Sequence, residues 1–152
     1  MAVEKRILTD AMQTFRIEAE SLAETAKVLE PEAFALAVEA LAGAPRIAAA
    51  GCGHTGIACR HFAHLMCCIE RPARFLSPAE AVHGGMGFLQ PGDVMLLASR
   101  GGKTDELMPI ADICRKKGVT VIAVTENLSS PLAEKADIVL AMKVTRECDP
   151  YN

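Results

Sequence analysis

Tryptophan is missing from this 152-residue chain, tyrosine occurs once, and aromatic residues amount to 4%. A nucleic-acid binder that stacks bases needs a platform of such rings, so this composition excludes one. Excess positive charge is missing too. Sixteen Lys and Arg stand against 19 Asp and Glu, for a net charge of −3 and a pI near 5.8. No polybasic surface is available to draw in a phosphate backbone. No apolar run is long enough to span a bilayer. Behind the charged stretch Met1 to Arg6 there is no secretory apolar segment. The six cysteines (52, 59, 67, 68, 114 and 148) are therefore expected as reduced thiols in a cytoplasmic protein. Adjacent Cys67 and Cys68 are expected to pack within a helix, because a bridge between neighbours is strained. There is no low-complexity tract and no internal repeat.

What is present is apolar bulk: 51% hydrophobic residues, enough for one sizeable core in one domain. Over 3–29, Leu8, Met12, Phe15, Ala19, Leu22, Ala26 and Leu29 alternate steps of four and three, which predicts one stripe along a long helix. That stripe has two readings, packing on its own domain or a heptad-like seam against a partner subunit. Pro31 ends this helix, and a second is predicted over 32–42. Strand and helix then alternate. Strands are predicted at 46–50, 73–76, 93–98, 119–124 and 137–142, with helices near 54–69 and 105–117, a turn or short helix through 77–81 and a short helix after Pro131. Several strands are almost continuously apolar, which implies a buried parallel sheet with helices on both faces. In such sheets ligands bind beyond the carboxyl ends of the strands.

Two loops lie there. Gly51-Cys52-Gly53-His54-Thr55-Gly56 follows the first strand, and Ser99-Arg100-Gly101-Gly102-Lys103-Thr104 follows the third. Glycines let backbone N–H groups approach an anion, hydroxyls add donors, and a helix N-terminus favours negative charge. Two such loops on one sheet point to a phosphorylated ligand held from two sides. In the second, Ser99, Thr104 and the backbone at Gly101 and Gly102 could surround a phosphate that Arg100 or Lys103 neutralises. Gly51-x-Gly53-x-x-Gly56 also matches the dinucleotide fingerprint. That reading needs an acid at the end of the next strand to hold a ribose, and Phe75-Leu76-Ser77 supplies none. His61, His64, Cys67 and Cys68 share helical spacing, but no matching carboxylate or cysteine pair completes a metal site, so none is expected. His83, Glu106 and Glu147 are candidates by placement, since each falls near the carboxyl edge.

Together these residues resemble the sugar isomerase (SIS) domain family over roughly 32–152, most closely its arabinose-5-phosphate isomerase branch. Pro78-Ala79-Glu80-Ala81-Val82-His83-Gly84 is similar to that branch's Pro-Ala-Glu-Ala-x-His-Gly segment. The first Gly loop takes the place of its Gly-x-Gly-Lys-Ser-Gly, and Ser99 to Thr104 that of Ser-Asn-Ser-Gly-Glu-Thr. Glu147-Cys148-Asp149-Pro150 resembles its Glu-Ala-Cys-Pro. The resemblance implies an α/β three-layer sandwich, flavodoxin-like, with a five-stranded parallel sheet. The expected organisation is an N-terminal helix over 1–31, for packing or oligomerisation, and a phosphosugar-binding domain over 32–152 without the family's closing helix. It also implies interconversion of an aldose phosphate and a ketose phosphate, of the arabinose-5-phosphate/ribulose-5-phosphate kind, through an enediol. Gly53, Thr55, Ser99, Arg100, Gly101 and Thr104 are the implied phosphate-binding positions. Glu147, Glu106, His83 and His54 are the implied catalytic positions, with Glu147 first choice for the base that moves a proton between C1 and C2. No cofactor is expected, and the implied partners are a sugar phosphate and further copies of the chain, as a homodimer or homotetramer. His54 stands where the family has Lys, and Gly101 where it has Ser. These departures keep open an alternative, a non-catalytic phosphosugar sensor.

Overall fold

The computed structural model describes residues 2–148, with side chains from Lys5 onward. Asp149 and Pro150, the end of the motif begun by Glu147, lie outside the described residues. The chain forms two compact units, residues 30–141 and residues 2–29 together with 142–148.

The larger unit is built on five parallel strands: β1 (Ile47–Ala50), β2 (Ala73–Phe75), β3 (Val94–Ala98), β4 (Thr120–Thr125) and β5 (Ile138–Ala141). Their order in the sheet is β2-β1-β3-β4-β5. The three central strands carry the most apolar runs, as parallel strands covered on both faces require. Every residue of β1 and β3 is buried. Alternate residues serve opposite faces. On one face Met95, Leu97, Val121 and Ala123 pack with Ile110 and Cys114 of helix α5 (Met108–Lys117) and Leu132 of α6 (Pro131–Lys135). On the other, Ile47, Val94 and Ile122 meet Ala37 of α2 (Pro31–Gly43) and Phe62 and Met66 of α3 (Gly53–Cys68). The result is the expected three-layer α/β sandwich. Short helix α4 (Pro78–Ala81) follows β2, and single 3-10 turns occupy Gly85–Phe88 and Asp105–Leu107.

The amino edge of the sheet is tied by a buried carboxylate. Asp93 accepts from Arg46 N at 3.1 Å, Arg46 Nε at 2.8 Å and Gln90 N at 2.7 Å. Burial of that charge is tolerable because it is paired and its lone pairs are used.

In the smaller unit, helix α1 (Ala2–Val28) is accompanied by a segment from the far end of the chain. Thr25 Oγ1 donates to Lys143 O at 2.9 Å and accepts from Lys143 N at 3.0 Å, and the Ser21 and Thr145 hydroxyls lie 3.1 Å apart. The stripe predicted along α1 faces solvent in the single chain: Leu8 is 64% exposed, Phe15 67% and Leu22 73%. Cys67 and Cys68, expected to pack, are exposed instead; Cys67 Sγ donates to Ala73 O at 3.2 Å, and Cys68 Sγ lies 3.6 Å from His64 Nε2. All six cysteines are free thiols. Among the described residues no helix is long and apolar enough to cross a membrane.

Candidate functional site

After β1 the chain crosses to β2 on one side, and after β2 it returns to β3 on the other. Between β1 and β3 the connections diverge, which opens a crevice at the carboxyl ends. The two Gly-rich loops flank that point: residues 51–53 leave β1, and 99–104 leave β3.

The first loop is shaped by close approach. A Cβ on Gly51 would lie 3.1 Å from Ala98 O and 3.1 Å from Thr55 Cγ2. One on Gly56 would lie 2.5 Å from Gly51 O, inside contact distance. Gly53 has φ +56°, a left-handed conformation that only glycine adopts without strain. The fingerprint spacing therefore has a packing origin. Beneath the loop the Cys59 thiol donates to Ala50 O at 3.4 Å, and burial pushes it up to about 11. Burial, with a smaller contribution from the Glu106 carboxylate, also raises Cys52.

The second loop is closed on itself. The Ser99 and Thr104 hydroxyls are 2.8 Å apart, and Gly102 N donates to Ser99 Oγ at 3.1 Å. Thr125 Oγ1 and Glu126 N both donate to Arg100 O, each at 2.9 Å, while Arg100 Nε donates to Glu126 at 3.1 Å. Gly102 has φ +64°, and a Cβ there would overlap Ser130 Oγ. Ser130 in turn caps α6, its Oγ accepting from Ala133 N at 3.2 Å. Gly101, by contrast, faces open space.

A cleft of about 370 Å³ lies beside the first loop, lined by Gly51, Gly53, Arg60, Phe75, Ser77 and Glu106 among others. Of the residues singled out from sequence, Gly53 and Glu106 meet there. His54 and Thr55 sit in the first turn of α3 without lining the cleft, and Ser99, Arg100, Gly101 and Thr104 stay in the second loop. His83 is exposed just after α4. Glu147 belongs to the smaller unit, in a groove of about 350 Å³ with Glu18, Ser21 and Thr25. Among the described residues no group of three or more His, Cys, Asp or Glu is placed to hold a metal ion. Sequence reasoning missed Arg60 and Phe75. The signal was available for the first: 53, 56 and 60 are spaced by three and four, so Arg60 shares the helix face of the loop glycines.

The family model described as the SIS domain matches residues 40–149. The arabinose 5-phosphate isomerase KdsD of Pseudomonas aeruginosa is 36% identical over 112 residues, covering 74% of this chain and 34% of that protein. A crystal structure from Listeria monocytogenes, provisionally named a sugar-phosphate isomerase, superposes with a TM-score of 0.93 at 42% identity, covering 97% of this chain and 78% of that one. The structure of Escherichia coli CFT073 c3406, solved in complex with a sugar phosphate, gives 0.88 at 26% identity, with the same coverage of 97% and 78%. The chain spans 34% to 48% of the length of the first curated relatives it matches.

Proposed function

From the premise that this chain belongs to the SIS domain family, we propose that it binds a sugar phosphate at the carboxyl ends of β1 and β3 and interconverts aldose and ketose forms. The observation that carries this reading is the strand order, which sets both Gly-rich loops on the flanks of one switch point. The arabinose 5-phosphate isomerase relatives support a pentose phosphate as substrate, and the sugar-phosphate complex of c3406 supports the ligand class. Gly53, Thr55, Ser99, Arg100, Gly101 and Thr104 are the proposed phosphate ligands. The proposed domain boundary remains 32–152, after a helix over 1–31 whose exposed stripe joins copies into a homodimer or homotetramer. The site of action proposed is the cytoplasm.

The chemistry is proton transfer alone. A base removes the proton on C2 of the open-chain aldose, an enediol forms, and a proton returns to C1 while the O2 proton leaves and O1 gains one. Hydrogen is redistributed within the substrate, so the step balances without an external oxidant or reductant. A carboxylate suits the carbon step, and Glu147 is the proposed base, with Glu106 handling oxygen protons. His83 is the proposed ring-opening group and His54 an auxiliary one. The second reading, a non-catalytic phosphosugar sensor, is favoured by His54, which takes the family lysine's place yet does not line the cleft.

Incubation with pentose and hexose phosphates in D2O, followed by NMR at C2, tests the reading. Exchange into at least one aldose phosphate is expected, and Glu147→Gln should abolish it while leaving calorimetric affinity within about twofold. Binding without exchange would leave the sensor; neither binding nor exchange would overturn both.

A further inference from the structure

We infer that His64 and Cys68 form a two-residue clip for a zinc ion on the exposed face of α3. The clip is separate from the phosphosugar site, since neither residue lines the cleft. Gly53, which does, begins the same helix, about 16 Å of helical rise before His64.

A helix brings residues four apart to one face, so this pair is built locally. Cys68 Sγ lies 3.6 Å from His64 Nε2. In a tetrahedral zinc site, bonds of about 2.3 Å to sulfur and about 2.05 Å to nitrogen give an S···N edge of about 3.6 Å. The two donor atoms therefore already stand at the separation that coordination requires. Both residues are exposed, so a hydrated ion reaches them without opening the fold. Neither side chain has another hydrogen-bond partner among the described residues. The neighbouring Cys67 differs, because its thiol donates to Ala73 O at 3.2 Å.

The position favours a cation. The clip closes the C-terminal end of α3, where helix carbonyls carry partial negative charge. No Lys or Arg stands in that last turn to offset it. Imidazole and thiolate suit Zn2+, whereas Mg2+ and Ca2+ take oxygen. On binding, the Cys68 thiol releases its proton to solvent as the Zn–S bond forms, and neutral His64 gives its Nε2 lone pair. Zinc keeps its oxidation state, so no redox partner is needed. His61 lies one turn earlier, yet among the described residues no group of three or more His, Cys, Asp or Glu is placed to hold a metal ion. Water then fills the other two positions, and one ion binds per chain. The donor spacing exists only while α3 is helical, so zinc stabilises the folded chain.

The test is titration of the full, metal-free, reduced chain with Co2+ and then Zn2+. Wild type should take up one Co2+ per chain, with thiolate-to-cobalt charge-transfer absorption that Zn2+ displaces. Cys68→Ser and His64→Ala should each weaken Zn2+ binding about 100-fold or more, since even groups behind the ligands are worth about 10- to 100-fold. Cys67→Ser should bind like wild type. Zn2+ should raise the melting temperature of wild type and of Cys67→Ser, but not that of Cys68→Ser. Melting temperatures without metal separate a lost ligand from a lost fold; should one variant melt lower, the other decides. The clip is overturned if wild type shows no charge-transfer band, or if Cys68→Ser keeps wild-type affinity. It is equally overturned if Cys67→Ser loses as much affinity as Cys68→Ser. One metal per two chains would overturn the water-completed site and put the ion between copies.

Discussion

The two Gly-rich loops look alike on paper and are held in different ways. Residues 51–56 owe their shape to missing side chains: Gly51 lets Ala98 O, Thr55 and Cys59 close in, and Gly56 lets the helix back against the loop. Residues 99–104 owe theirs to bonded side chains: Ser99, Thr104, Thr125 and Glu126 pin the backbone, and Gly102 admits Ser130. The first opens onto the cleft, while in the second the Ser99 and Thr104 hydroxyls share one hydrogen bond, which leaves one O–H proton to donate elsewhere. Glycine and hydroxyl content therefore does not by itself tell a loop shaped by missing side chains from one shaped by bonded side chains. The deciding quantity is where the donors point, and that is set by residues remote in sequence.

Four perturbations sharpen or break this contrast. Gly102→Ala carries the largest expected effect, about 2–5 kcal/mol in urea unfolding, because a left-handed penalty adds to overpacking against Ser130. Gly101→Ala next to it should fall within about 0.5 kcal/mol, and equal losses would show that the second loop is not closed as described. Gly56→Ala should cost about 1–3 kcal/mol, since the added carbon meets backbone that cannot swing away. Thr104→Ala should weaken phosphosugar binding by about 1–2 kcal/mol with little change in unfolding; unchanged affinity would remove Thr104 from the site and leave it a loop brace for Ser99.

A modest effect is expected in alkali. Cys59, under the first loop, titrates near 11 in the fold against 9.0 for a free thiol. A raised folded value means its contribution is fully present below about pH 9 and disappears as pH climbs through 11. Wild type should lose about 1 kcal/mol at pH 10 relative to Cys59→Ala, read from paired denaturation curves at pH 8 and pH 10. Parallel curves would mean the thiol ionises freely.

The sandwich was legible because its strands are nearly unbroken apolar runs, so β1, β3 and β4 fall within a residue of where the pattern puts them. Helix α5 begins later than expected, because Asp105–Leu107 form a separate 3-10 turn ahead of Met108 and Pro109. The loops were legible as loops. What hydropathy could not show is pairing across the sheet: that Glu126 engages Arg100, that Ser130 fills the space beside Gly102, or that Phe75 lies under Arg60. Asp93 illustrates the limit. In the sequence it is one more acid beside a turn, yet it is fully buried and organises the amino edge through Arg46 and Gln90. Such roles depend on partners tens of residues away, which one-dimensional periodicity does not encode.

Strand β2 forms one border of the sheet with three residues, Ala73 to Phe75. Its middle residue, Arg74, is exposed and lies 4.9 Å over the Phe88 ring. A foreign polypeptide seeking unsatisfied amides along that border finds a ladder too short to grip and a cation in its path. Natural sheets resist fibril-like stacking by the same two means, so replacing Arg74 with valine is the change we expect to make this protein cloud first on concentration.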